Sequence, residues 1–234
     1  MPSKIVRMLF IGNSFTTRND LPGLLSAVAE AGAGTMIESK VIAAGGASLR
    51  RHWNAGAADT ISDEKWDYVV FQEQSTLPIK NGKRFHENVR EFVPVMKESG
   101  ATMVLFMTWA RKHEPENQKL LTDSYDSIGK ELAATVVPVG SAWREMLEKH
   151  GTPELHAEDG SHPTLAGSYF AACVFYTTLF EGDLKDLETE AEGLSHEERR
   201  ELNHFESAMR SLDTDIHRSR LGIPTIPHHS LNQP

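Results

Sequence analysis

Apolar positions along the chain form two alternating patterns. Short stretches that are continuous or of period two read as strands: Lys4 to Ile11, Met36 to Ala43, Asp67 to Phe71, Thr102 to Met107 and Thr135 to Val139. The third is apolar without a break and is expected to be buried on both faces. Between them, apolar residues recur at helical spacing. Leu21, Leu24, Leu25, Val28 and Ala29 predict a helix closed by Gly32 and Gly34. Leu49 to Ala58 predicts a short polar helix, and Phe85, Val89, Phe92, Val93 and Met96 a stripe ending at Gly100. Gln118 to Ala134, Ala142 to Lys149 and the strongly apolar Leu165 to Phe180 predict three more. Strands that alternate with helices imply a mostly parallel sheet covered on both faces, with right-handed crossovers.

The pattern changes after Gly182. Residues 183–220 are rich in charge, and a helix is expected from Ser195 to about Arg220, opened by the capping box Ser195 and Glu198. Its apolar stripe, Leu202, Phe205, Met209, Leu212 and Ile216, is narrow. Such a helix is expected to pack on the outer helices of the body or to mediate a homodimer. The tail from Gly222 to Pro234 holds three prolines and reads as extended. The division expected is a domain over 1–182 and a helical extension with its tail over 183–234.

Composition bounds the function. At 234 residues and 39% hydrophobic content the chain can build one sizeable core. A net charge of −9 argues against a nucleic-acid or membrane-surface binder. The single cysteine, Cys173, excludes an intrachain disulfide and sits in an apolar helical pattern, as an inert buried thiol would. No apolar run approaches ~18 residues, so no membrane span is expected. Residues 1–12 read as a strand and not as a signal peptide, which makes a cytoplasmic location the expectation.

Two stretches carry candidate chemistry. Gly12-Asn13-Ser14-Phe15-Thr16 follows the first strand and precedes a helix. A serine at such a turn lifts its hydroxyl off the sheet edge beside backbone N–H groups, as attack on a carbonyl requires. The same residues are also ordinary turn chemistry, with Ser14 or Thr16 as a helix cap. Asp159-Gly160-Ser161-His162-Pro163 lies in a loop before the apolar helix. A histidine supplies a base near neutral pH, and a carboxylate three residues earlier can hold its tautomer. A turn-opening aspartate and a surface histidine would give the same pattern. Ser14, Gly45-Gly46, Gln72 to Ser75 and Trp109 all fall at carboxyl ends of strands, where sites of open α/β sheets lie. The other histidines show no metal-ligand spacing, so neither a metal nor another cofactor is expected.

The two blocks, in this order and spacing over roughly residues 4–181, resemble the first and last blocks of the SGNH (GDSL-like) hydrolase superfamily. Gly45-Gly46 stands where its second-block glycine would. The resemblance implies a flavodoxin-like three-layer α/β/α sandwich and an esterase-type serine hydrolase. By position, Ser14 would be the nucleophile, His162 the base and Asp159 its orienter. The backbone N–H groups of Ser14 and Gly46 would be oxyanion donors, with Gly45 competing for the second. The third block departs from the family: Gln72-Glu73-Gln74-Ser75 stands in place of Gly-x-Asn-Asp, as in a less-studied branch. Gln74, near the open edge, is the expected third donor, and Gln72 the alternative as a buried polar group. Trp53 and Trp109 follow strands two and four and are candidates to line the mouth, where an aromatic face could stack on a sugar ring; packing is their competing role.

The reading that follows is a serine esterase acting on a small-molecule carboxylic ester, with acetyl esters of carbohydrates among the candidates. A non-catalytic binding module on the same fold is the alternative. A phosphoesterase or nucleotide binder is disfavoured by acidic charge and the lack of a glycine-rich phosphate loop.

Overall fold

The computed structural model describes residues 4–206, apart from 186 and 190. In chain order its elements are β1 (Lys4–Gly12), α1 (Ser14–Thr17), α2 (Leu21–Ala33), β2 (Thr35–Ala43), α3 (Leu49–Asn54), α4 (Ala57–Asp63), β3 (Tyr68–Phe71), α5 (Leu77–Lys80), α6 (Gly82–Glu91), α7 (Val93–Ser99), β4 (Thr102–Phe106), α8 (Asn117–Leu132), β5 (Thr135–Val137), α9 (Val139–Lys149) and α10 (Leu165–Phe180). The five strands form one sheet in the order β2-β1-β3-β4-β5, and every pairing is parallel.

The alternation within β1 builds both cores. Val6, Met8 and Phe10 point to one face and join a cluster with α2, α9 and α10. Leu9 and Ile11 point to the other and join α3, α4, α6 and α8. The result is an α/β/α sandwich. Because β2 and β3 flank β1, the strand order reverses at the carboxyl ends of β1 and β3, which is where such sheets open a binding crevice.

Two helices expected to be continuous are broken. Leu49 to Ala58 splits into α3 and α4 at Gly56, whose φ of 85° no helix accommodates. The stripe from Phe85 to Met96 splits into α6 and α7 at Phe92, because Pro94 in the first turn of α7 has no N–H to continue the ladder. In both cases the apolar face carries through the break, so periodicity alone does not reveal it.

The chain beyond Gly182 is helical over residues 196–206. The capping box forms in both directions: Glu198 N–H donates to Ser195 Oγ at 3.2 Å, and Ser195 N–H to Glu198 Oε2 at 2.9 Å. Leu202 and Phe205 are buried in the core around α10, together with Leu184, Ala191 and Leu194. A polar seam accompanies them, with Tyr169 Oη donating to Asn203 Oδ1 at 3.0 Å and Thr177 Oγ1 to Glu206 Oε1 at 2.8 Å. Cys173 is buried beneath it, and burial pushes its thiol up. Over these residues the stripe faces the body. Met209, Leu212, Ile216 and the proline-bearing tail lie outside the described residues, and so does any dimer contact they make. A chain ending at Gly182 is therefore expected to uncover Tyr169, Phe170 and Cys173 and to lose solubility. A soluble, fully active monomer from that truncation, seen by size-exclusion chromatography and ester assay, would contradict this. No helix among the described residues is long and apolar enough to cross a membrane.

Candidate active site

The turn after β1 is clamped by residues far away in sequence. Gln72, fully buried at the end of β3, accepts from Asn13 N–H at 2.8 Å and from Thr16 Oγ1 at 3.1 Å. Its own amide N–H donates to the Glu73 carbonyl. Asn13 caps α1 by accepting from Phe15 N–H at 3.1 Å, and donates through Nδ2 to the Ala47 carbonyl at 3.0 Å. The buried His52 lies with Nε2 at 2.7 Å from the Gly12 carbonyl; burial pushes its pKa down, so the neutral imidazole donates there. A Cβ at Gly12 would fall 2.5 Å from Thr16 Oγ1 and 2.7 Å from Gln72 Oε1, which explains the glycine. Gln72→Ala strands the Asn13 N–H in a dry site. It is expected to cost about 1–3 kcal/mol of stability by urea unfolding, and a change below about 0.5 kcal/mol, the scatter of neutral surface changes, would contradict the clamp.

Ser14 emerges from this clamp half-buried, and its Oγ lies 2.9 Å from His162 Nε2. On the other side of the ring, His162 Nδ1 lies 2.5 Å from Asp159 Oδ2. Asp159 Oδ1 accepts from the backbone N–H groups of Ser161 and His162, each at 2.9 Å. The His162 hydrogen bond, with these two amides, holds the Asp159 carboxyl well below the usual carboxylate range. It therefore stays charged through the range in which an imidazole titrates. With the carboxylate on Nδ1–H, Nε2 is left as the acceptor facing the serine hydroxyl.

The histidine loop rests on a series of packed rings. Phe15 packs against His162 with centroids 5.4 Å apart and against Trp109 at 5.0 Å. Trp109 stacks on Trp143 at 3.8 Å, with the planes 4° apart, and its Nε1–H donates to the Ser161 carbonyl at 3.0 Å. Trp109 is thus corrected from a mouth residue to a buried support: at 2% exposure it offers no face to a sugar ring. Trp53 is half-buried and meets Phe92 edge to face at 5.1 Å.

Four donors around this turn have no hydrogen-bond partner among the described residues: the backbone N–H groups of Ser14, Gly45 and Gly46, and Nε2 of Gln74. Gln74 Oε1 is occupied by Thr76 N–H and Oγ1, both at 3.1 Å, while the side chain stays half-buried. Gly46 has φ 62°, a left-handed turn that favours glycine, whereas Gly45 has no such constraint. No group of three or more His, Cys, Asp or Glu placed to hold a metal ion occurs among the described residues.

The sequence alone did not single out His52, Asn13, Gln72 as a clamp, or the buried pair Glu73 and Asn88. Their partners lie in other elements, and local pattern carries no sign of them.

No protein-family model matches the chain, and a search of curated proteins finds no match. Among solved structures, a protein of Slackia heliotrinireducens assigned to the SGNH hydrolases is 28% identical, over 75% of this chain and 100% of its own, with a TM-score of 0.65. The chain belongs to the SGNH hydrolase superfamily. Two more distant structures share the fold of this SGNH protein. A DUF4886 family protein of Bacteroides uniformis is 18% identical over 90% of this chain and 96% of its own, with a TM-score of 0.74. The acetylxylan esterase Axe2 of Geobacillus stearothermophilus is 17% identical over 75% and 94%, with a TM-score of 0.63.

Proposed function

We propose that this SGNH protein is a serine esterase that cleaves carboxylic esters through an acyl-enzyme on Ser14. One observation carries the proposal: Ser14 Oγ, His162 and Asp159 form a continuous hydrogen-bonded series, at 2.9 Å and 2.5 Å. In the first half-reaction Ser14 Oγ attacks the ester carbonyl and its proton passes to His162 Nε2. Asp159 steadies the imidazolium that forms. The carbonyl oxygen, now an anion, is met by the N–H groups of Ser14 and Gly46 and by the Gln74 amide. Collapse expels the alcohol, which takes the proton from His162. Water then attacks the acyl-enzyme, His162 accepts its proton, and the acid leaves as Ser14 recovers its own. No cofactor takes part.

The acetylxylan esterase among the neighbours supports acetyl esters of carbohydrates as the substrate class. The test is a panel of p-nitrophenyl acetate and octanoate beside acetylated xylo-oligosaccharides. Turnover of acetyl esters well above that of long acyl esters is the expected result. A preference for the long chain would overturn the acetyl assignment, and no hydrolysis of any ester would overturn the esterase itself in favour of a binding module.

A further inference from the structure

A carboxylate that the proposed chemistry does not use lies behind the oxyanion donors. Glu73 is fully buried, directly between Gln72 and Gln74. Its Oε1 accepts from Leu49 N–H at 3.0 Å and from Gln74 N–H at 2.7 Å, and its Oε2 from Asn88 Nδ2–H at 2.8 Å. Each of these neighbours is a donor, so the group serves as an acceptor, although burial pushes its carboxyl up. No cation among the described residues contacts it; burying a charge in that way is costly, and an apolar side chain would fill the volume more cheaply. The carboxylate instead fixes two segments. Leu49 opens α3, three residues after Gly46; Gln74 carries the side-chain amide. Both are tied to the same oxygen.

The direction of the bonding is set from outside. Asn88 is 1% exposed, and with Nδ2 spent on Glu73 its Oδ1 accepts from Arg50 Nε at 3.3 Å. The Arg50 guanidinium in turn pairs with Glu91 at 2.7 Å. Donation therefore runs one way, from Arg50 to Asn88 to Glu73, and the amide of Asn88 has one orientation that satisfies both ends.

We propose that Glu73 is a positioning residue which, oriented through Asn88 and Arg50, holds the Gly46 turn and Gln74 in register as oxyanion donors. This rests on the esterase reading above. Glu73→Gln keeps the shape but sets an amide NH2 against the NH2 of Asn88. If Asn88 turns over, the same conflict moves to Arg50, so one donor always faces another. The expected result is a kcat about 10- to 100-fold lower, as for donors displaced by a fraction of an ångström, with KM within about twofold. Asn88→Asp alone sets two carboxylates together and is expected to lose activity as well. The double variant Glu73→Gln/Asn88→Asp reverses the bond between positions 73 and 88, because the new amide donates to the new carboxylate, which still accepts from Arg50. Its kcat, normalised by active-site titration, is expected to return to within about threefold of the parent. Such a recovery is what a polarity requirement gives and a loss of packing does not.

A folded Glu73→Gln variant with parental kcat would overturn the proposal. So would a double variant no more active than the singles, or one that does not fold. If both single variants fail to fold, the double variant decides alone. Fluorophosphonate labelling of the parent on Ser14 reads the esterase proposal separately: with label taken up, these outcomes reject only the role of Glu73, and without it both proposals fall.

Discussion

Ser14→Ala and His162→Ala are each expected to lower ester turnover by about 10⁴-fold or more, since nucleophile and base act as one unit. Ser14→Ala removes the atom proposed to bond to the acyl carbon. His162→Ala removes the acceptor 2.9 Å from that atom and leaves the hydroxyl with no base. Neither change touches the clamp beneath, because the bonds of Gln72 go to Asn13 and Thr16. Thermal unfolding is therefore expected to stay near that of the parent. Asp159→Ala is expected to cost less. Its carboxylate is 48% exposed, so water can replace part of what it gives His162. Ester hydrolysis near the parental rate in Ser14→Ala would reject the mechanism outright.

Gln74→Ala is expected to lower kcat by about 10²–10³-fold with little change in KM, the loss seen when one oxyanion donor is removed. The choice between the two glutamines turns on their amides. Gln72 is spent at both ends, on Asn13 and Thr16 through its oxygen and on the Glu73 carbonyl through its nitrogen. Among the described residues the Gln74 side chain is held through its oxygen, against Thr76, and its nitrogen remains to donate. An amide anchored in this way is oriented before substrate arrives, which is what such stabilisation requires. If kcat in Gln74→Ala stayed at the parental value, the hole would consist of the backbone donors alone. If Gln72→Ala lost kcat with no loss of stability, the donor would move to Gln72.

The layered fold was legible because both of its signals are local. The short apolar run of Ile5 to Ile11 and the helical stripe of Leu21 to Ala29 each identify an element without knowledge of its neighbours. Asp159 and His162 were legible for the same reason, since one turn holds both. What escaped was set by long-range contact. Gln72 reaches Asn13 across 59 residues, and Glu73 reaches Leu49 across 24; no spacing rule ties such pairs. Trp109 was misplaced because a position after a strand says that a ring is near the mouth. It does not say which way the ring turns, and Trp143 takes its face. The breaks at Gly56 and Phe92 were hidden because a helix that bends can keep its apolar face on the core.

The most direct measurement is covalent. The protein would be incubated with a fluorophosphonate, digested, and its peptides mapped by mass spectrometry, with Ser14→Ala and His162→Ala alongside. The account predicts one adduct, on the peptide that holds Ser14, with no label in Ser14→Ala and labelling slowed by orders of magnitude in His162→Ala. An unlabelled parent protein, or an adduct on any residue other than Ser14, would contradict it.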